Sequence, residues 1–131
     1  MILDTSFVID IMRKNNVAAQ AKAREMENMF THYALSAASI IELWRGALLS
    51  LQKETEKQRV NSFLHRCMLY NFGELEARKT AEIETLLKKE GNVIELEDIM
   101  IAATACARDE PLLTRNTKHF RRIPELKIET Y

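Results

Sequence analysis

The chain has 131 residues, 47% of them hydrophobic, which is enough to bury one real core and too few to divide into two, so we expect a single domain over residues 1–131. Nineteen basic and nineteen acidic residues cancel to a formal net charge of zero, which excludes capture of a polyanion by the field of the whole molecule and requires a local patch instead. Three Gly, two Pro and no Ser-, Gly- or Pro-rich tract exclude a composition of linker or low-complexity type.

Ile2 and Leu3 read as a short buried strand that stops at Asp4, followed by two hydroxyls, Thr5 and Ser6, and a helix ending near Arg13 and Lys14. VAAQAKAREMENMF (17–30) has helix formers with apolar residues at three-to-four spacing, and YALS (33–36) is a strand. AASIIELWRGALLSLQ (37–52) is a strongly apolar helix with Ser36 as its cap, and KETEKQRVNSFLHRCM (53–68) is amphipathic, with Val60, Phe63, Leu64 and Cys67 on one side. MLYNF (68–72) is read as a strand from its flanks.

GELEARKTAEIETLLKKEG (73–91) is the clearest helix, with Leu75, Ala81, Ile83, Leu86 and Leu87 as its apolar positions, Lys88 and Lys89 in the last turn and Gly91 as C-cap. A further helix starts near Glu97 and Asp98 and runs through Arg108, then come a strand PLLT (111–114), a short basic helix, and LKIETY (126–131) as an edge strand. Strands alternate with helices throughout, which predicts an α/β domain with a mainly parallel central sheet, since parallel neighbours need crossover connections. No signal-peptide pattern opens the chain and no apolar run approaches the roughly 20 residues of a bilayer span, so we expect a cytoplasmic protein. Cys67 and Cys106 lie outside any C-x-x-C spacing and read as buried thiols.

Ligands of open α/β sheets bind beyond the carboxyl ends of the strands. Asp4 ends the first strand and belongs there; Asn116 follows PLLT at the equivalent end of another strand, with Thr114 just before it. Asp98 lies in the first turn of a helix whose Ala102 and Ala103 permit close packing on the sheet, and Glu42 lies among Ile40, Ile41, Leu43 and Trp44, where an acid is costly to bury without a partner. Each has a plainer reading: Asp4 as a helix cap, Asp98 as an acid favoured by the helix dipole, Glu42 turned to solvent or paired with Arg45, Asn116 as a turn residue. Three carboxylates brought together would repel unless a cation held them, and hard oxygen donors suit Mg²⁺ or Mn²⁺.

The segments MILDTSFVID, SIIELWRG, ELEDIMIAATA and LLTRNTKHF, in this order and at these separations, resemble the PIN-domain nucleases, and among them the VapC toxins of prokaryotic toxin–antitoxin pairs. The resemblance implies a three-layer α/β/α sandwich and a metal-dependent endoribonuclease. Asp4, Glu42 and Asp98 match the family's acids, while Asn116 fills the place of a fourth and brings no charge. It further implies Asp4 and Asp98 as ligands of Mg²⁺ or Mn²⁺, Glu42 as a ligand through water or as general base, and Thr114, Thr5 and Ser6 as hydroxyls supporting the site. A cognate antitoxin, an RNA substrate and a homodimer are the partners it implies.

Substrate grip has to come from RNTKHFRRIP, where Arg115, Lys118, His119, Arg121 and Arg122 form either a phosphate-contacting rim or only the solvated basic face of a short helix; Arg13, Lys14 and Arg45 are further basic residues that could fall nearby. His119 is not expected to act as a base, His32 and His65 have no metal-site spacing, and Trp44 with the Phe and Tyr residues reads as core rather than a base-stacking platform. Two rivals recede: an aspartyl-phosphate phosphatase wants a second Asp at position 6, which is Ser, and a response regulator wants an Asp between Asp10 and Asp98, where there is none. The alternative that survives is the same fold acting as a silent protein-binding module.

Overall fold

The computed structural model describes residues 1–29 and 32–131. Its elements alternate as expected: β1 (Ile2–Leu3), α1 (Thr5–Arg13), α2 (Val17–Asn28), β2 (Ala34–Ser36), α3 (Ala37–Leu49), α4 (Lys53–Leu64), β3 (Met68–Tyr70), α5 (Glu74–Lys89), α6 (Leu96–Ala107), β4 (Leu112–Leu113), α7 (Thr117–Phe120) and β5 (Ile128–Glu129). Phe30, placed in the second helix by its sequence, lies outside the described residues. All strand pairs are parallel, in the order β3-β2-β1-β4-β5, with Ile2 opposite both Ala34 and Leu112.

Successive strand residues point to opposite faces, and the sheet uses this to build two cores. Ile2 and Leu112 pack with Ile83 and Leu87 of α5, with Ile99, Ile101, Ala102 and Ala103 of α6, and with Phe120. Leu3, Leu35 and Leu113 face the other way, onto Phe7 and Val8 of α1, Met26 of α2, Leu43 and Ala47 of α3 and Val60 of α4. Helices therefore cover both faces of a parallel sheet, and the three-layer α/β/α expectation holds.

Three sequence readings need correction. On α5 the inward residues are Glu76, Thr80, Ile83 and Leu87, while Leu75 is 59% exposed and Ala81 is exposed too. A buried acid heads that stripe because Gly73 N–H donates to Glu76 Oε2 at 2.9 Å and Arg108 Nη2 to Oε1 at 2.8 Å. Burial pushes the Glu76 carboxyl up, but backbone N–H groups and Arg108 outweigh it and hold the group below its ordinary value. The amphipathic run after α3 stops at Leu64, so that Cys67 falls in a turn; both thiols are half-buried rather than buried, and burial raises the Cys67 pKa to about 11. Gly91 meets its expectation: at φ +72° it takes the left-handed conformation that ends α5, with Asn92 N–H donating to Leu87 O at 2.9 Å. Among the described residues no helix is long and apolar enough to cross a membrane.

Candidate active site

The strand order reverses between β1 and β4, so the crevice of this sheet opens where those two strands end. Asp4 leaves β1 there with its N–H on Leu113 O at 3.0 Å. It stands at the N-cap of α1, and its carbonyl receives Phe7 N–H, yet its side chain makes no capping bond. Instead Oδ2 accepts from Thr114 Oγ1 at 2.6 Å and from Ser6 Oγ at 2.5 Å. Asp4 is 4% exposed, and Oδ1 accepts no hydrogen bond among the described residues. Thr114 is fully buried, and its oxygen also receives Asn116 N–H at 2.9 Å, so one hydroxyl fixes both Asp4 and the turn after β4.

Glu42 reaches this end from the second turn of α3 and Asp98 from the first turn of α6. Burial raises the Glu42 carboxyl, and the negative charges of Asp98, Asp4 and Glu97 raise it further, against a weaker downward pull from the Thr5 hydroxyl. Asp98 is raised by burial first and then by the charge of Asp4, with His119 pulling it down. The three acids therefore sense one another. Arg45 does not compensate Glu42: its Nη2 donates to Glu97 Oε1 at 2.8 Å, clasping α3 to α6 beside the two acids.

Asn116 is the N-cap of α7, and its side chain makes no capping bond either; Nδ2 lies 2.9 Å from His119 Nδ1, which is 3.7 Å from Asp98 Oδ2. His119 is the site residue that sequence reasoning passed over. Its signal was there, since residue three of a helix lies beside the residue that caps it.

The basic rim divides. Arg115 is an ion-pair partner of Asp10, with Nη1 at 2.8 and 3.1 Å from the two carboxylate oxygens, whereas exposed Lys118, Arg121 and Arg122 have no ion pair among the described residues. Asp10, which had no role in the sequence reading, is 5% exposed and also accepts from Asn16 Nδ2 and Tyr131 Oη, each at 2.9 Å. Trp44 packs against the core, as expected.

Among the described residues, no three Asp, Glu, His or Cys side chains converge closely enough to form a closed metal cage. Asp4 leans to two hydroxyls and Asp98 toward His119, which spreads carboxylates that repel one another. The donor set nevertheless fits a hard divalent cation, since its donors are all oxygens. Thr5 Oγ1 is the one fully buried polar side-chain atom among the described residues without a hydrogen-bond partner; it is near enough to Glu42 to affect its pKa and too far to bond it. Unsatisfied buried groups of this kind collect where a ligand completes the site.

Comparison with known proteins agrees with this placement. The PIN domain family profile matches residues 1–126. The chain belongs to the PIN-domain family. Its relatives there are VapC proteins: it is 31% identical to the tRNA(fMet)-specific endonuclease VapC of Salmonella typhimurium over 82% of this chain and 83% of that protein, and 29% identical to Ribonuclease VapC2 of Rickettsia felis over 99% and 96%. Among solved structures, VapBC2 from Rickettsia felis bound to a promoter DNA fragment superposes with a TM-score of 0.89 at 27% identity, covering 99% of this chain and 97% of that one. DNA-bound VapBC from Salmonella typhimurium also gives 0.89, at 26% identity and 98% and 96% coverage.

Proposed function

We propose that this protein is a metal-dependent endoribonuclease of the toxin type, inhibited by a cognate antitoxin. The observation that carries the reading is a buried Asp4 held on one oxygen by two hydroxyls at the switch point of the sheet, with Glu42 and Asp98 close enough to raise each other's pKa. Asp4 and Asp98 would hold Mg²⁺ or Mn²⁺, with Asn116 contributing its carbonyl. Bound there, the cation supplies positive charge that polarises a phosphoryl oxygen and acidifies water. Glu42, raised above the ordinary carboxylate range, is suited to take the proton of the attacking water. Lys118, Arg121 and Arg122 contact RNA phosphates, and Arg115 serves the fold through Asp10.

The partner reading is supported by relatives solved as VapBC complexes. A groove of about 320 Å³ between α1, α3 and α4 runs from Ile9, Met12 and Val60 to Glu42, so a segment lying in it would reach the acids. Leu48, Leu49 and Leu51 at the end of α3 are exposed and offer apolar surface for association, including a homodimer.

The deciding experiment incubates the purified protein with structured RNA in Mg²⁺ or Mn²⁺, with chelator, and as Asp98→Asn. Cleavage that needs the metal and disappears in the variant supports the reading. Intact RNA in every arm would leave the silent binding module.

A further inference from the structure

The reading of Asp4, Glu42, Asp98 and Asn116 as the reactive cluster is the ground for a further step concerning His119. One ring nitrogen of His119 stands between two site residues that arrive from different elements: Asn116 Nδ2 at 2.9 Å, from the turn after β4, and Asp98 Oδ2 at 3.7 Å, from α6. An amide nitrogen only donates, so the ring nitrogen facing it is the unprotonated acceptor of a neutral imidazole. With Nδ2 committed to His119, the remaining polar atom of the side chain is Oδ1, which accepts no hydrogen bond among the described residues. The main chain of Asn116 is pinned separately, through its N–H on Thr114 Oγ1.

An N-cap asparagine ordinarily turns its oxygen onto the backbone N–H groups of the first helical turn. Here the third helical residue takes the amide in hand instead, and the carbonyl is released from capping. A carboxylate at position 116 would present oxygen whichever way it turned. An amide presents oxygen in one orientation and N–H in the other, so something must choose.

We propose that His119 is a positioning residue that fixes the Asn116 amide so that Oδ1, rather than Nδ2, is offered to the acidic crevice, while holding Asp98 beside it. In His119→Ala the amide turns freely and half of its orientations present a donor to a site built for cations. His119→Asn keeps the function, because an asparagine Oδ1 sits where the histidine Nδ1 was, one bond beyond Cγ.

The test combines a double-mutant cycle with NMR of the full chain. In RNA cleavage, His119→Ala is expected to lose about 10-fold, the range for groups that orient a ligand, and His119→Asn to recover to within about 3-fold of wild type. After Asn116→Ala, adding His119→Ala costs little more. In ¹H–¹⁵N spectra, the Asn116 side-chain amide moves in His119→Ala, and the His119 Nδ1 shift is that of an unprotonated nitrogen. Additive losses in the cycle, an unmoved Asn116 amide or a protonated Nδ1 would each overturn the assignment. Should the wild type cleave no RNA at all, the nuclease reading fails while the spectra still decide the role of His119.

Discussion

Asp4 and Asp10 lie in the same segment of β1 and α1 and are 4% and 5% exposed, yet the fold treats them oppositely. Asp10 is saturated: Arg115 takes both of its oxygens, and Asn16 and Tyr131 add two more bonds. Asp4 receives two neutral hydroxyls on one oxygen and no cation, and its nearest charged neighbours include two further acids. A buried carboxylate that is paired serves the fold, and one left with its charge uncompensated marks where the molecule expects something from outside. Burial alone does not distinguish them; the inventory of partners does.

That contrast can be broken experimentally. Asp4→Asn is expected to lower RNA cleavage by roughly 10²–10³-fold with the melting temperature unchanged or raised, read by turnover and calorimetry on the same sample. Asp10→Ala should do the reverse, costing about 2–4 kcal/mol because it unpairs Arg115 and two buried donors, while activity per folded molecule stays at wild type. Were Asp10→Ala to abolish cleavage in folded protein, the division between the two acids would be wrong. Thr114→Val keeps the shape and removes the hydroxyl shared by Asp4 and Asn116; cleavage should fall by roughly 10-fold, with a stability loss of about 1 kcal/mol.

Smaller effects sharpen the comparison through pH. Asp98 and Glu42 are raised in the folded state, so over the interval between ordinary and raised pKa the native protein holds protons that the unfolded chain has released. Their contribution to stability is therefore greatest at acid pH and is lost as pH rises through that interval. Glu76, lowered in the fold, pulls the other way as pH falls. The signature is thus a difference: at pH 7.5 without metal, Asp98→Asn should melt above wild type, and the gap should close on acidification, while Mn²⁺ raises the wild type selectively. The smallest change is Tyr131→Phe, expected to cost about 1 kcal/mol by urea titration without altering cleavage.

The alternation of strands and helices, the end of β1 at Asp4 and the Gly91 stop were legible because each is written locally, in residue spacing or in one backbone conformation. The three acids were legible singly, and their convergence came from the resemblance rather than from any local pattern. What escaped was pairing. Glu76 on the inner face of α5 and Asp10 in α1 read as solvent charges until Arg108 and Arg115, distant in sequence, supplied their partners. Leu75 looked like core and is not, because an apolar residue carries no instruction about which of two plausible stripes faces inward. His119 was hidden by its neighbours, a run of cations that reads as surface.

The bond between Asp4 and Thr114 spans 110 residues of chain, and the central strand pairs with β2 on one side and with β4, near the far end, on the other. Closing so long a loop is slow, and nothing rewards it until both ends exist. During synthesis, at about 5–20 residues per second, a chain that has not yet emerged past β4 has its first acid and no hydroxyl to aim it. A nuclease built this way stays silent toward the message that encodes it until almost the whole chain has been made, and gains its activity in the same step that completes its sheet.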